Sequence, residues 1–209
     1  MLTEEKINAN FLSYIKYLEK YKCYSEDMIK ELGDKIKYAP YSKNTEFGGA
    51  EPGGLVDVTL NVLCRIGAEI NSNTLGRNGG ENIRHPLLCV NQEMLMRVLL
   101  LMNVAKCEMF GEADTWHKNK GMPYEFIDNE TKLKIGERSL YICQKYGIRL
   151  SEEEFEAFLA IDQDELKGER FQTPLYTVVA AARMFTLVEL RQRQRQKLIE
   201  LNNKNTIEK

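Results

Sequence analysis

No stretch of this chain approaches the roughly 18 consecutive apolar residues of a transmembrane helix. Met1 to Lys20 carries Glu4, Glu5, Lys6, Lys16 and Glu19 and has no apolar centre of a signal peptide, so a cytoplasmic protein with no membrane partner is expected. The five cysteines, Cys23, Cys64, Cys89, Cys107 and Cys143, are odd in number, widely spaced and free of any C-x-x-C pair. Buried free thiols in a reducing compartment are expected from them, rather than disulfides or a zinc site. Histidine is scarcer still: only His85 and His117 are present, both in loop-like stretches. H-E-x-x-H, G-x-S-x-G, the Walker loop and the dinucleotide-binding glycine motif are all missing. A net charge of −2 argues against a general binder of nucleic acid or anionic membrane. Period-two alternation of useful length is missing too, which removes the sheet classes and leaves an all-α fold.

Helical periodicity is what remains, and 209 residues of it suffice for one domain. The most continuous apolar run is Arg97 to Lys106 (RVLLLMNVAK), so a central helix is predicted between Asn91 and Cys107, broken in character by Met102, Asn103 and Lys106. Thr3 caps a first amphipathic helix to about Tyr21, and Ser25 caps a second that Gly33 should stop. Between Tyr38 and Gly54, Pro40, Gly48, Gly49, Pro52, Gly53 and Gly54 predict a long loop, its glycines read as turns before a helix that runs from about Leu55 to Ile70. Residues 71–85 read as a polar connection and Gly111 to Asn129, with Trp116 and His117, as irregular. Asn129 is positioned to cap a helix ending at Gly147, Ser151 and Glu154 form a capping box, and Thr173-Pro174 opens a last helix reaching about Asn202. The organisation predicted is therefore residues 1–37 as N-terminal helices packing on the core, 38–187 as the core, and 188–209 as a helical extension. In that extension Arg191, Arg193, Arg195 and Lys197 lie on a polar stretch that suits either a solvated helix end or a docking arm for a protein partner or a second copy.

The order of these pieces resembles a family. Phe47 to Val62 (FGGAEPGGLVDVTLNV) is similar to the F-H-G-A-x-x-G-G-L-L-E-H-S-L-x-V segment of HD-domain phosphohydrolases of the phage and bacterial type. Leu99 to Lys106 falls on that family's A-L-L-H-D-x-x-K signature, and Lys134 to Ser139 resembles G-H-G-E-x-S. Ser151 to Asp162 and Pro174 to Thr186 look like its last two motif helices. The likeness spans roughly residues 38 to 187, and it implies an all-α HD-like bundle, a phage origin, and a site where divalent metal activates water against a phosphate ester.

The positions that would hold the metal depart from the family. Val58, Met102, Asn103, Ile135, Ile161 and Arg183 stand where histidines and aspartates are expected, and Val or Ile offers no lone pair while Met is a soft ligand. The resemblance therefore implies no metal, no cofactor and no catalytic residue. Four apolar replacements at about 1.5–3 kcal/mol of burial each point to a cleft converted into core. Arg183 would then need a partner, Asp57 or Glu137. The reading this supports is a catalytically inactive HD-like protein that works by binding a partner through the loop before Leu55 or the last helix. An alternative is a metal-independent binder of a nucleotide or other phosphorylated ligand through Lys106, Arg138 and Arg183. A third is a diverged metal site built from Asp57, Asn103, Glu137 and Asp162, with His117 swinging in.

Overall fold

Thr3 and Ser25 each end an extended segment and accept a backbone N–H three residues on, from Lys6 at 3.3 Å and from Met28 at 3.4 Å. Those caps start α1 (Glu4–Lys20) and α2 (Glu26–Tyr38), as the sequence predicts. Gly33 does not stop α2. It lies inside the helix on the buried face, where a Cβ would make ordinary contact with Ile29 at 3.5 Å and Phe11 at 3.6 Å, and a helical glycine costs only about 1 kcal/mol against that burial. The computed structural model describes residues 2–75, 89–127, 132–162 and 173–207; His85 and Asn129 lie outside the described residues.

Beyond α2 the chain makes a loop over residues 39–53 that its glycines close. Leu55 N donates to Ala39 O at 2.9 Å and Tyr41 N to Gly49 O at 2.8 Å, drawing the two ends of the loop together. Gly49 has φ +69°, and a Cβ there would stand 2.8 Å from the Tyr41 side chain. A Cβ on Gly54 would strike Gly49 O at 2.1 Å, so two glycines are required at this crossing. Within the loop a tight turn, Thr45–Phe47, is started by the Asn44 side chain, which accepts from Glu46 N at 2.8 Å.

The central helix is shorter than its sequence predicts. Asn91 caps α4 (Gln92–Leu101), which packs on α1, α3 (Gly54–Leu75), α8 (Glu152–Leu159) and α9 (Pro174–Ile207), and six of its ten residues are buried. After Leu101 the ladder changes from four-residue to three-residue spacing. Val104 N reaches Leu101 O and Lys106 N reaches Asn103 O, at 2.9 and 3.0 Å, before α5 (Lys106–Met109) resumes the α-helix. Apolar content continues straight through this break, which is why periodicity alone reads one helix.

The stretch read as irregular after it holds a small ordered cap: β1 (Phe110–Glu112) and β2 (Tyr124–Phe126) pair antiparallel, joined across α6 (Thr115–Asn119). The helix expected from Asn129 begins later, as α7 (Ile135–Lys145), where Lys134 N donates to Glu137 Oε2 at 2.8 Å. Gly147, with φ +70°, supplies its left-handed end as the sequence predicts. The Ser151–Glu154 capping box opens α8, and Thr173 caps α9 through Tyr176 N at 3.3 Å. The long last helix is unbroken at residue 188, and Leu187 and Leu190 both pack against the core, so the division drawn there falls inside a single helix. The fold is all-α, with one three-residue hairpin.

Candidate functional site

Ser139 of α7 holds the break after α4 in place. Its hydroxyl donates to Met102 O at 3.0 Å and accepts from Ala105 N at 3.1 Å, replacing the backbone bonds that a continuous helix would make there. This turn carries Met102 and Asn103 inward and aims Lys106, at the start of α5, toward the loop of residues 39–53. Val58, Met102 and Ile161 are 2%, 3% and 6% exposed, so these three positions are packed core. Asn103 is 3% exposed, and its Oδ1 is buried without a donor among the described residues. Ile135 differs: it is half-buried and, with Ile161, forms the floor of a cleft of about 190 Å³.

That cleft is walled by Tyr41, Ser42 and Phe47 from the loop, Lys106 from α5, and Arg183, Leu187 and Arg191 from α9. Lys106 is only 7% exposed. Its ammonium donates to Tyr41 O at 2.9 Å and rests 3.4 Å from the centre of the Tyr41 ring. Burial, with the Arg183 charge adding to it, pulls the Lys106 pKa down to about 7. Arg183 does not pair with Asp57 or Glu137 as the sequence reading requires; among the described residues it makes a long hydrogen bond, 3.5 Å, to Ala160 O at the end of α8. A carbonyl end of a helix is a favourable but weak place for a cation. Arg191 lies 5.0 Å from the Phe47 ring. Three cations thus surround the cleft, and among the described residues no carboxylate lines it and none of the three has an ion-pair partner.

The other candidate residues are engaged elsewhere. Asp57 accepts from Asn10 at 2.9 Å and Asn61 at 3.1 Å. Glu137 caps α7, and Asp162 accepts from Gly136 N and Glu137 N at 3.0 and 3.1 Å, so both carboxylates serve one helix end. Burial raises the Asp162 pKa against those two backbone bonds. His117 pairs with Asp114 at 2.8 Å on α6. The set Asp57, Asn103, Glu137, Asp162 and His117 is therefore not assembled, and no group of three His, Cys, Asp or Glu able to hold a metal occurs among the described residues. A single buried amide oxygen between apolar side chains does not fit a hard divalent cation, which wants six or more oxygens.

Arg138 is not among the cleft walls. Arg193 is tied to Glu189, which also takes Arg65 at 2.8 Å, while Arg195 and Lys197 are exposed. Lys197 borders a larger hollow of about 520 Å³ between the loop, the hairpin and α9. In that hollow Lys118 is matched by Glu112 at 2.9 Å, so it lacks the uncompensated charge of the smaller cleft. Tyr41, Phe47 and the cleft role of Arg191 were not found from sequence. For Arg191 a signal existed: it follows Arg183 and Leu187 at four-residue steps, one face of a helix. For Tyr41, whose carbonyl does the work, there was none.

Among the described residues no helix is long and apolar enough to cross a membrane. Comparison with protein-family models, with curated proteins and with solved structures finds no match.

Proposed function

We propose that this chain is a degenerate HD-domain-like protein that works by binding, without metal or turnover, and that its ligand presents a phosphate or similar anionic group to the cleft of Lys106, Arg183 and Arg191. The observation that supports this reading is the charge imbalance of the cleft: among the described residues that line it are three cations, one of them buried, and no acid. Holding unpaired positive charge in a partly desolvated place opposes folding, and a bound anion relieves it. At about 190 Å³ the cleft lies below the roughly 300–1,000 Å³ of drug-sized sites, so it takes an anionic group and not a whole nucleotide.

Thermal unfolding with inorganic phosphate, measured beside Mg²⁺ and Mn²⁺, tests this. Phosphate at 100 times its Kd adds about 2.7 kcal/mol of stability. The expected result is stabilisation by phosphate, none by either metal, and loss of the phosphate effect in the double variant Arg183→Gln, Arg191→Gln. Equal stabilisation of that variant, or stabilisation by metal alone, overturns the reading. A second reading, docking of a protein partner along α9, draws support from Met184, Phe185 and Val188, which stand 64%, 60% and 54% exposed on the helix.

A further inference from the structure

The charge imbalance explains why an anion would enter the cleft; it leaves open what the buried amine in its wall does. Lys106 is unlike the other cations there. Arg183 and Arg191 are guanidiniums, charged under all conditions a folded protein meets, whereas a lysine can lose its proton and become a nucleophile. Among the described residues the usual restraint on a buried lysine, a carboxylate, is missing. Glu108, on the same α5, is turned to Lys35 at 3.7 Å, and the partners of Lys106 are the carbonyl and ring of Tyr41. A neutral amine still donates one N–H to Tyr41 O and keeps its lone pair for the cleft. Two features used to activate lysines meet here, desolvation and a neighbouring cation.

We propose that Lys106 is a carbonyl-reactive amine, condensing reversibly with a small aldehyde that carries a phosphate group, the phosphate being held by Arg183 and Arg191. The proposal rests on the anion reading of the cleft and adds chemistry to it. The ammonium first releases its proton to solvent. The nitrogen lone pair then forms a C–N bond to the carbonyl carbon, and the proton leaving nitrogen passes to the former carbonyl oxygen. That hydroxyl takes up one proton from solvent and departs as water while the nitrogen lone pair forms the C=N bond. Ammonium and aldehyde thus give a protonated imine and water, with no oxidant or reductant consumed. The charge on nitrogen is the same before and after, so the cleft stays complementary to the phosphate. Its volume of about 190 Å³ restricts the aldehyde to a few carbons.

The lowered basicity of Lys106 supports this independently of the geometry. With a pKa of about 7, half of it is neutral at pH 7, roughly 10³-fold more than an ordinary lysine offers.

The test is reductive trapping. The full chain is incubated at pH 7 with glycolaldehyde phosphate and sodium cyanoborohydride, and the modified lysines are mapped by peptide mass spectrometry. The expected result is an adduct on Lys106 at least about tenfold above that on any other lysine, a margin well inside its advantage in neutral amine. Excess inorganic phosphate suppresses it, and uncharged glycolaldehyde labels Lys106 less than its phosphate ester does. Lys106→Arg abolishes the adduct at that position and leaves the background labelling of the other lysines as in the parent. Adducts spread evenly over the lysines, or equal labelling of Lys106 by uncharged glycolaldehyde, overturn the proposal. If phosphate stabilises the chain but Lys106 stays unmodified, the covalent step fails and the anion reading stands. If phosphate neither stabilises nor protects and Lys106 stays unmodified, both fail.

Discussion

Two cations flank the break after α4, and they are treated in opposite ways. Arg97, on α4, meets Glu154 at 3.2 Å, with the two side chains 17% and 2% exposed, and also donates to Arg149 O. Lys106, beyond the break, is as deeply placed and has no carboxylate partner among the described residues. Arg97 is neutralised by the fold itself. Lys106 is left for something outside the fold to neutralise, and that difference separates a structural ion pair from a candidate site.

The largest effect should come from breaking the ion-paired member. Glu154→Ala leaves the Arg97 guanidinium buried beside no anion and also removes the reciprocal cap in which Ser151 N donates to Glu154 Oε2 at 2.8 Å. The expected loss is about 3–5 kcal/mol, measured by urea unfolding at pH 7. A loss below about 1 kcal/mol would mean that Arg97 is hydrated like a surface charge, and the contrast with Lys106 would vanish.

A smaller effect is expected at the break that sets the two apart. Ser139→Ala deletes a hydroxyl bonded to Met102 O and Ala105 N and leaves both buried groups without it. That should cost about 1–3 kcal/mol and disturb the aim of Lys106, so the phosphate stabilisation should fall with it. Stability lost with phosphate binding intact would show that the cleft does not depend on the broken helix.

How legible all this was depends on how local the cause is. Thr3, Ser25, Ser151 and Gly147 announce helix ends because cap and helix lie within a few residues of one another. The break after Leu101 has no such local cause. Its determinant is Ser139, a residue of another helix, and the apolar run crosses it without interruption. Gly33 misleads because the buried face of α2 outweighs the roughly 1 kcal/mol that a glycine costs inside a helix. At the site, the core positions Val58, Met102 and Ile161 were readable from their apolar character, and of the three cations flagged, Lys106, Arg138 and Arg183, the first and last line the cleft. The proposed partner of Arg183 was not readable, because Asp57 and Glu137 are taken by Asn10, Asn61 and the α7 cap, contacts that only the tertiary arrangement creates. The Tyr41 carbonyl was invisible in the same way: its position follows from a backbone crossing at Gly49 and Gly54.

The smallest effect tests the unsatisfied member directly, through pH. The Lys106 pKa is about 7 in the folded chain against an ordinary lysine value of 10.5. Between those values the unfolded chain binds one proton more than the folded chain, so stability must rise with pH. Below about pH 7 both states are protonated and the full penalty of the buried charge is present; it is relieved progressively above that. The window has an upper edge, because burial holds the Cys23, Cys107 and Cys143 thiols at about 12, above their ordinary 9.0. For an acid with a raised folded pKa the sign reverses, and above about pH 9 these thiols make stability fall as pH rises. Between pH 7 and 8.5 the lysine acts without them. There the parent chain should gain about 1–2 kcal/mol that Lys106→Met does not, read as the difference between two urea titrations. Saturating phosphate should flatten the parent's rise, because an anion beside Lys106 restores its proton affinity. A parent curve parallel to that of Lys106→Met would mean that the amine is already neutralised within the fold, and Lys106 would then belong with Arg97.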